Sequence, residues 1–164
     1  MKKIAVISHD AGGAEILSNW LKQKKYLYST VLKGPAIKVF KKNNIEINNN
    51  DLQKAIENSE CIITGTSWQS NLEKEAILLA NKLGKYTITF LDHWVNYKER
   101  FIYKGKLTLP NEIWVTDKFA FQIANNTFRK TIVRMKHNYY LINLKKIIKK
   151  KSAFNKNNFT NKGL

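Results

Sequence analysis

The stretch Lys3-Ile4-Ala5-Val6-Ile7-Ser8-His9-Asp10-Ala11-Gly12-Gly13-Ala14-Glu15 decides how the rest of the chain is read. Four apolar residues run into a polar bend that holds two glycines, and an apolar 3.6-residue period starts at once with Ala14, Leu17, Ser18 and Leu21. The pattern predicts strand, turn and helix. The glycine pair lets the backbone turn sharply and approach a ligand, and it leaves Ser8, His9 and Asp10 at the carboxyl end of a buried strand. A helix N-terminus opening there offers free N–H groups to a phosphate or a sugar hydroxyl, beside His9 and Asp10. A purely local reading, in which Asp10 caps the helix of a tight turn, stands next to it.

Outward from this unit, strand candidates recur at Tyr28 to Leu32, weakly at Ile45 to Ile47, then at Cys61 to Thr64, Tyr86 to Leu91, Glu112 to Thr116 and Thr131 to Met135. Helical periods separate them: Gly13 to Lys24, Pro35 to Lys42 with proline in its first turn, Asp51 to Asn58, a helix capped by Ser70, Lys118 to Asn125, and a final one from Asn138. Ser70 and Glu73 have capping-box spacing, and Gly84 is the stop of that helix. The alternation predicts an α/β fold, a mostly parallel sheet with helices on both faces, in one domain over residues 1–150. The last helix has a lysine-rich face behind Tyr140, Leu141, Leu144, Ile147 and Ile148. Residues 151–164, a basic Asn/Lys-rich tail without period, are expected to be disordered.

Composition narrows the classes. The 164 residues are 43% hydrophobic, enough for one core, and no run reaches the roughly 18 apolar residues of a membrane span. The start of the chain does not read as a signal peptide. One cysteine, Cys61, excludes an internal disulfide, and a reducing cytoplasm is the expected setting. The net charge of +17 points toward nucleic acid or an anionic surface, but only three of the 29 basic residues are arginine and the chain is crowded with Asn, Lys and Ile. Compositional bias is therefore an equal explanation of the charge.

Two further loops collect chemistry. The strand Cys61 to Thr64 ends in Gly65-Thr66-Ser67-Trp68-Gln69-Ser70, whose small hydroxyls suit a polar ligand and whose tryptophan offers a stacking face. In a doubly wound sheet this loop faces the first one across the switch-point crevice. The strand ending at Leu91 runs into Asp92-His93-Trp94-Val95-Asn96-Tyr97-Lys98-Glu99-Arg100, a mixture of groups that packing alone does not call for. An Asp92 to Arg100 ion pair pinning the loop is the plain alternative. Asp117 is expected to cap the helix that follows it. The glycine loop lacks the Gly-Lys-Ser/Thr of a P-loop and the G-x-G-x-x-G fingerprint, and the second strand ends without an acidic residue, so NAD is disfavoured and no cofactor is expected. His9, His93 and His137 are too scattered for a dedicated metal site.

The order of these pieces, Ser8 to Glu15, then Gly65-Thr66-Ser67, Leu91-Asp92-His93-Trp94 and Leu109-Pro110-Asn111-Glu112-Ile113-Trp114-Val115-Thr116-Asp117, resembles the N-terminal Rossmann-like half of GT-B glycosyltransferases and related nucleotide-sugar epimerases and hydrolases. The resemblance implies an acceptor site on this domain, with His9 or Asp10 as base and Gly12 and Gly13 shaping the pocket. It implies a sugar, sugar-phosphate or nucleotide-sugar ligand, a role in surface polysaccharide synthesis, and a second domain, partner subunit or second copy to complete the site. Residues 8 to 13, 65 to 69 and 92 to 100 are expected to form the crevice. His9 or His93 takes a hydroxyl proton there, with Asp10 or Asp92 orienting the imidazole. Ser8, Gly12, Gly13, Gly65, Thr66, Ser67, Trp68, Asn96 and Arg100 complete the candidate ligand contacts. The rivals are a non-catalytic RNA or anion binder using its lysines with Trp68, Trp94 and Tyr97 as stacking platforms, and an interaction subunit marked by an apolar patch at the crevice mouth.

Overall fold

The computed structural model describes residues 3–23, 26–48 and 51–160, the last ten of these as backbone. Strands β1 (Lys3–Ser8), β2 (Leu27–Leu32), β3 (Cys61–Thr64), β4 (Tyr86–Phe90), β7 (Glu112–Val115) and β8 (Ile132–Met135) form one parallel sheet in the order β2-β1-β3-β4-β7-β8. A small hairpin of β5 (Ile102–Tyr103) and β6 (Lys106–Leu107) lies apart from it. The helices are α1 (Ala11–Leu21), α2 (Pro35–Lys42), α3 (Leu52–Glu57), α4 (Leu72–Lys82), α5 (Lys118–Thr127) and α6 (Tyr139–Thr160).

The two-residue period of the strands divides the core. Ile4 and Val6 of β1, Leu32 and Ile63 face a cluster shared with α1 and α2, against which Tyr139 of α6 is partly buried. Their neighbours Ala5, Ile7, Val31 and Ile62 face α3 and α4 on the other side. Strands covered on both faces read as continuous apolar runs, which is why β1 shows no polar alternation. On the first face Phe90 and Trp114 meet edge to face at 5.0 Å, with Trp20 5.5 Å from Trp114. The expected α/β architecture with helices on both faces is present, in one domain.

Several local expectations change. Ile45 to Ile47 forms no strand; instead the Asn48 side chain accepts from the Thr30 N–H at 2.9 Å and donates to the Tyr28 carbonyl at 3.0 Å. One amide side chain thus does for the edge of β2 what a backbone ladder would have done. The capping box at Ser70 is not made. The α4 N-cap is Asn71, Ser70 N–H donates to Ser67 Oγ, and Glu73 is engaged elsewhere. The helix expected to reach Lys24 ends at Leu21, and Lys24 lies outside the described residues. The backbone of α6 continues through the basic segment to Thr160, and residues 161–164 of that tail lie outside the described residues.

Candidate functional site

All the residues singled out sit at the carboxyl ends of the parallel strands, where a doubly wound sheet binds ligands. The loop after β1 and the loop after β3 are pressed together rather than separated. A Cβ on Gly13 would lie 3.2 Å from the Gly65 Cα, so glycine at both positions lets the backbones meet without one giving way. Ser8 Oγ is buried beside them without a hydrogen-bond partner among the described residues. The crevice is therefore closed between residues 13 and 65, and the open space lies one strand further along.

On one side of this contact stands Asp10. His9 Nδ1 lies 2.7 Å from Asp10 Oδ1, Ser67 Oγ donates to the same oxygen at 2.9 Å, and the Trp68 N–H donates to Oδ2 at 3.1 Å. Burial alone would push the Asp10 carboxyl up, but these donors together hold it below its ordinary value. Asp10 is the α1 N-cap by position, yet its side chain makes no cap bond because it is turned to this cluster. The His9 ring lies over Gly34, where φ is +54° and a Cβ would fall 2.6 Å from Nε2. A side chain at 34 is excluded on both counts.

Beneath His9 lies a residue that sequence reading assigned only to a cap. Glu73 is 2% exposed, and its Oε1 accepts the His9 backbone N–H at 2.7 Å across 64 residues of sequence. Its Oε2 is buried without a partner among the described residues. Burial raises the Glu73 carboxyl to about 7, against the lowering effect of the backbone donors. The available signal was its register: Glu73 falls on the same stripe as buried Ala76, Ile77 and Ala80.

On the other side stands Asp92. Thr66 Oγ1 donates to Asp92 Oδ1 at 2.9 Å and itself receives a bond from Arg100 Nη1 at 3.2 Å. Arg100, expected to face a ligand or to pair directly with Asp92, does neither. It is buried behind the loop, tied to the Val95 carbonyl and to Thr66, so carboxylate and guanidinium meet on a shared hydroxyl. Asp92 Oδ2 points the other way, 3.4 Å from His93 Nε2 and against the bare backbone of Gly12, where a Cβ would lie 2.4 Å from it. Both sequence-adjacent Asp and His pairs thus come together, because the chain has left the strand before each of them.

A cavity of about 470 Å³ is lined by Asp92 and His93, with the Asp92 side chain 4% exposed and the His93 side chain 48%. From the expected crevice it takes residues 11 and 12 of the first loop and Asp92, His93 and Trp94 of the later one; residues 65 to 69 do not line it. It adds Glu15, Thr116, Asp117, Asn138, Tyr140 and Leu141, which sequence reading did not assign to a site. Asp117 caps α5 as expected, accepting from the Ala120 N–H at 2.8 Å, and its second oxygen accepts from the Trp94 indole at 2.9 Å. Glu15 is held from outside by Lys42 and Asn43. Asn96 is exposed outside the cavity, at φ +56° in the turn after it. Trp68 and Trp94 are exposed, whereas Tyr97 is buried and stacked on Phe128, with its phenol pushed up to about 12 by burial. Tyr97 is not a stacking platform.

Comparison with protein-family models, with curated proteins and with solved structures finds no match for this chain. Among the described residues no group of three His, Cys, Asp or Glu is arranged to hold a metal ion, and no helix is long and apolar enough to cross a membrane.

Proposed function

We propose that the chain is a glycosyltransferase-like domain whose cavity binds a neutral sugar ring, with Asp92 and His93 handling the proton of a sugar hydroxyl. One observation carries the reading. Asp92 is anchored through Oδ1 to Thr66, which is in turn held by Arg100, and with a side chain only 4% exposed it lines, beside half-exposed His93, a cavity that also holds Trp94 and Tyr140. A fixed carboxylate accepts hydroxyl protons, and aromatic faces pack on the C–H faces of a sugar. A free phosphate fits less well, because Glu15, Asp92 and Asp117 line the space and, among the described residues, His93 is the candidate cation in its wall. In the catalytic version His93 takes the proton of the attacking hydroxyl and Asp92 stabilises the imidazolium.

A specific observation supports a second body at the mouth. Trp94 of the cavity wall is 63% exposed, its chain neighbour Val95 60%, and Phe119, two residues beyond Asp117 of the same wall, 73%. A partner chain or second domain that supplies the rest of the substrate site would cover these side chains.

Thermal unfolding against a panel of sugars, nucleotide-sugars and sugar phosphates tests the proposal. A ligand held at about 100 times its dissociation constant adds roughly 2.7 kcal/mol. Stabilisation by a sugar, lost in Asp92→Asn and retained in His9→Ala, is expected. A panel in which no sugar stabilises the chain, or in which only His9→Ala abolishes the effect, refutes it.

A further inference from the structure

Charge is unevenly placed along this chain. All 12 Asp and Glu lie at or before Asp117, while 12 of the 29 Lys and Arg follow it, so residues 118–164 carry no acidic side chain at all. Uniform compositional bias would thin the acids everywhere rather than clear them from one end. Four of these cations stand on the first turns of α6. There Tyr140, Leu141, Leu144, Ile147 and Ile148 recur at the spacing of one helix face, and Lys145, Lys146, Lys149 and Lys150 fall on the other.

The start of the helix is tied to the body, where Tyr139 meets the core and Asn143 donates to Asn19 at 2.9 Å. From Leu144 to Lys150 every residue is exposed, Ile147 by 52% and Ile148 by 56%. A stripe with this spacing is one that helices ordinarily bury, and no described residue covers it.

The charge selects the occupant. A second copy would bring its own lysines against these, and like charges oppose that contact. A nucleic acid would use the lysines but gain nothing from an apolar face beside them, and only Arg129 and Arg134 among the 12 cations are arginine. An anionic lipid surface uses both faces: the isoleucines and leucines enter the acyl boundary, and lysine stems reach back to the headgroup phosphates. We propose that α6 is an interfacial anchor that lays this chain on an anionic bilayer. Tyr140 and Leu141 belong to both the stripe and the cavity wall, so docking sets the cavity mouth at the lipid surface. The anchor is independent of what the cavity binds.

Co-sedimentation of the full chain with vesicles tests it, using phosphatidylcholine alone and phosphatidylcholine mixed with phosphatidylglycerol. Binding is expected only to the mixed vesicles, falling about fivefold for each Lys→Gln among residues 145, 146, 149 and 150. The double variant Ile147→Ser/Ile148→Ser is expected to weaken binding about tenfold or more, without a change in thermal unfolding because both side chains are exposed. Absence of binding to the mixed vesicles overturns the proposal. So does binding that the serine variant retains and a short RNA competes away, which makes the surface a nucleic-acid one. Concentration-dependent dimerisation abolished by the serine variant also overturns it, by making the stripe a self-contact.

Discussion

Replacing Glu73 by Gln is expected to stabilise the protein at alkaline pH and to change little at acid pH. The buried carboxyl is raised from its ordinary 4.5 to about 7. Between those values the native chain keeps a proton that the unfolded chain has lost, so stability falls as pH rises through this window and the full penalty is present above it. At about 1.4 kcal/mol per pH unit the displacement corresponds to roughly 3 kcal/mol. Glutamine keeps an oxygen to accept the His9 N–H and carries no charge to bury, so the variant lacks the penalty. The difference between variant and wild type should be near zero at pH 4 to 4.5 and near its full value at pH 8. For a domain of this size that is a rise of about 6 to 12 °C in melting temperature at the alkaline end. Paired thermal melts across the range read it directly, since every other titrating group cancels in the difference. Two melting curves that stay parallel from acid to alkaline pH would show that Glu73 ionises normally and would refute the argument.

Thr66→Val removes the hydroxyl on which Asp92 and Arg100 meet, leaving buried Arg100 Nη1 without that acceptor; a loss of about 1 to 3 kcal/mol is expected in urea unfolding. The same variant should weaken any ligand that depends on Asp92, whereas Ser67→Ala, on the Asp10 side, should not. Asp117→Ala removes both the α5 cap and the acceptor of the Trp94 indole. It should cost about 1 kcal/mol and shift Trp94 fluorescence, which binding at the cavity would then no longer perturb in the same way.

The sheet and most of its helices were legible because each rests on a local signal: continuous apolar strands, a 3.6-residue period, proline at Pro35, Asp117 before α5. What escaped was set by long-range partners. Ser70 and Glu73 have the spacing of a capping box, but the His9 N–H, brought over by the β1 and β3 pairing, captured the carboxylate first. Ile45 to Ile47 has strand composition, yet the Asn48 side chain satisfies the β2 edge. Arg100 reads as a loop cation until a short 3-10 turn over Glu99–Phe101 carries it inward. The far wall of the cavity comes from residues 138–141, which no spacing rule connects to Gly12. The hairpin of β5 and β6 has strands of two residues each, too short for any period to register.

The two Asp and His pairs look equivalent in sequence, and their surroundings separate them. Asp10 accepts from an imidazole, a hydroxyl and a backbone N–H, and its histidine is packed on Gly34. Three of the roughly four acceptor sites of this carboxylate are spent on protein, which fixes it as a tie between loops. Asp92 instead spends one oxygen on Thr66, and the other lies 3.4 Å from a half-exposed imidazole, with both residues in the wall of the cavity and the Asp92 side chain 4% exposed. A group that moves a proton must be rigid on one side and unsatisfied on the other, since rigidity lowers the cost of orientation and the free lone pair is where the reacting hydroxyl binds. The first pair ties the ends of β1, β3 and α4 together, and the proposed function therefore assigns the substrate hydroxyl to the second.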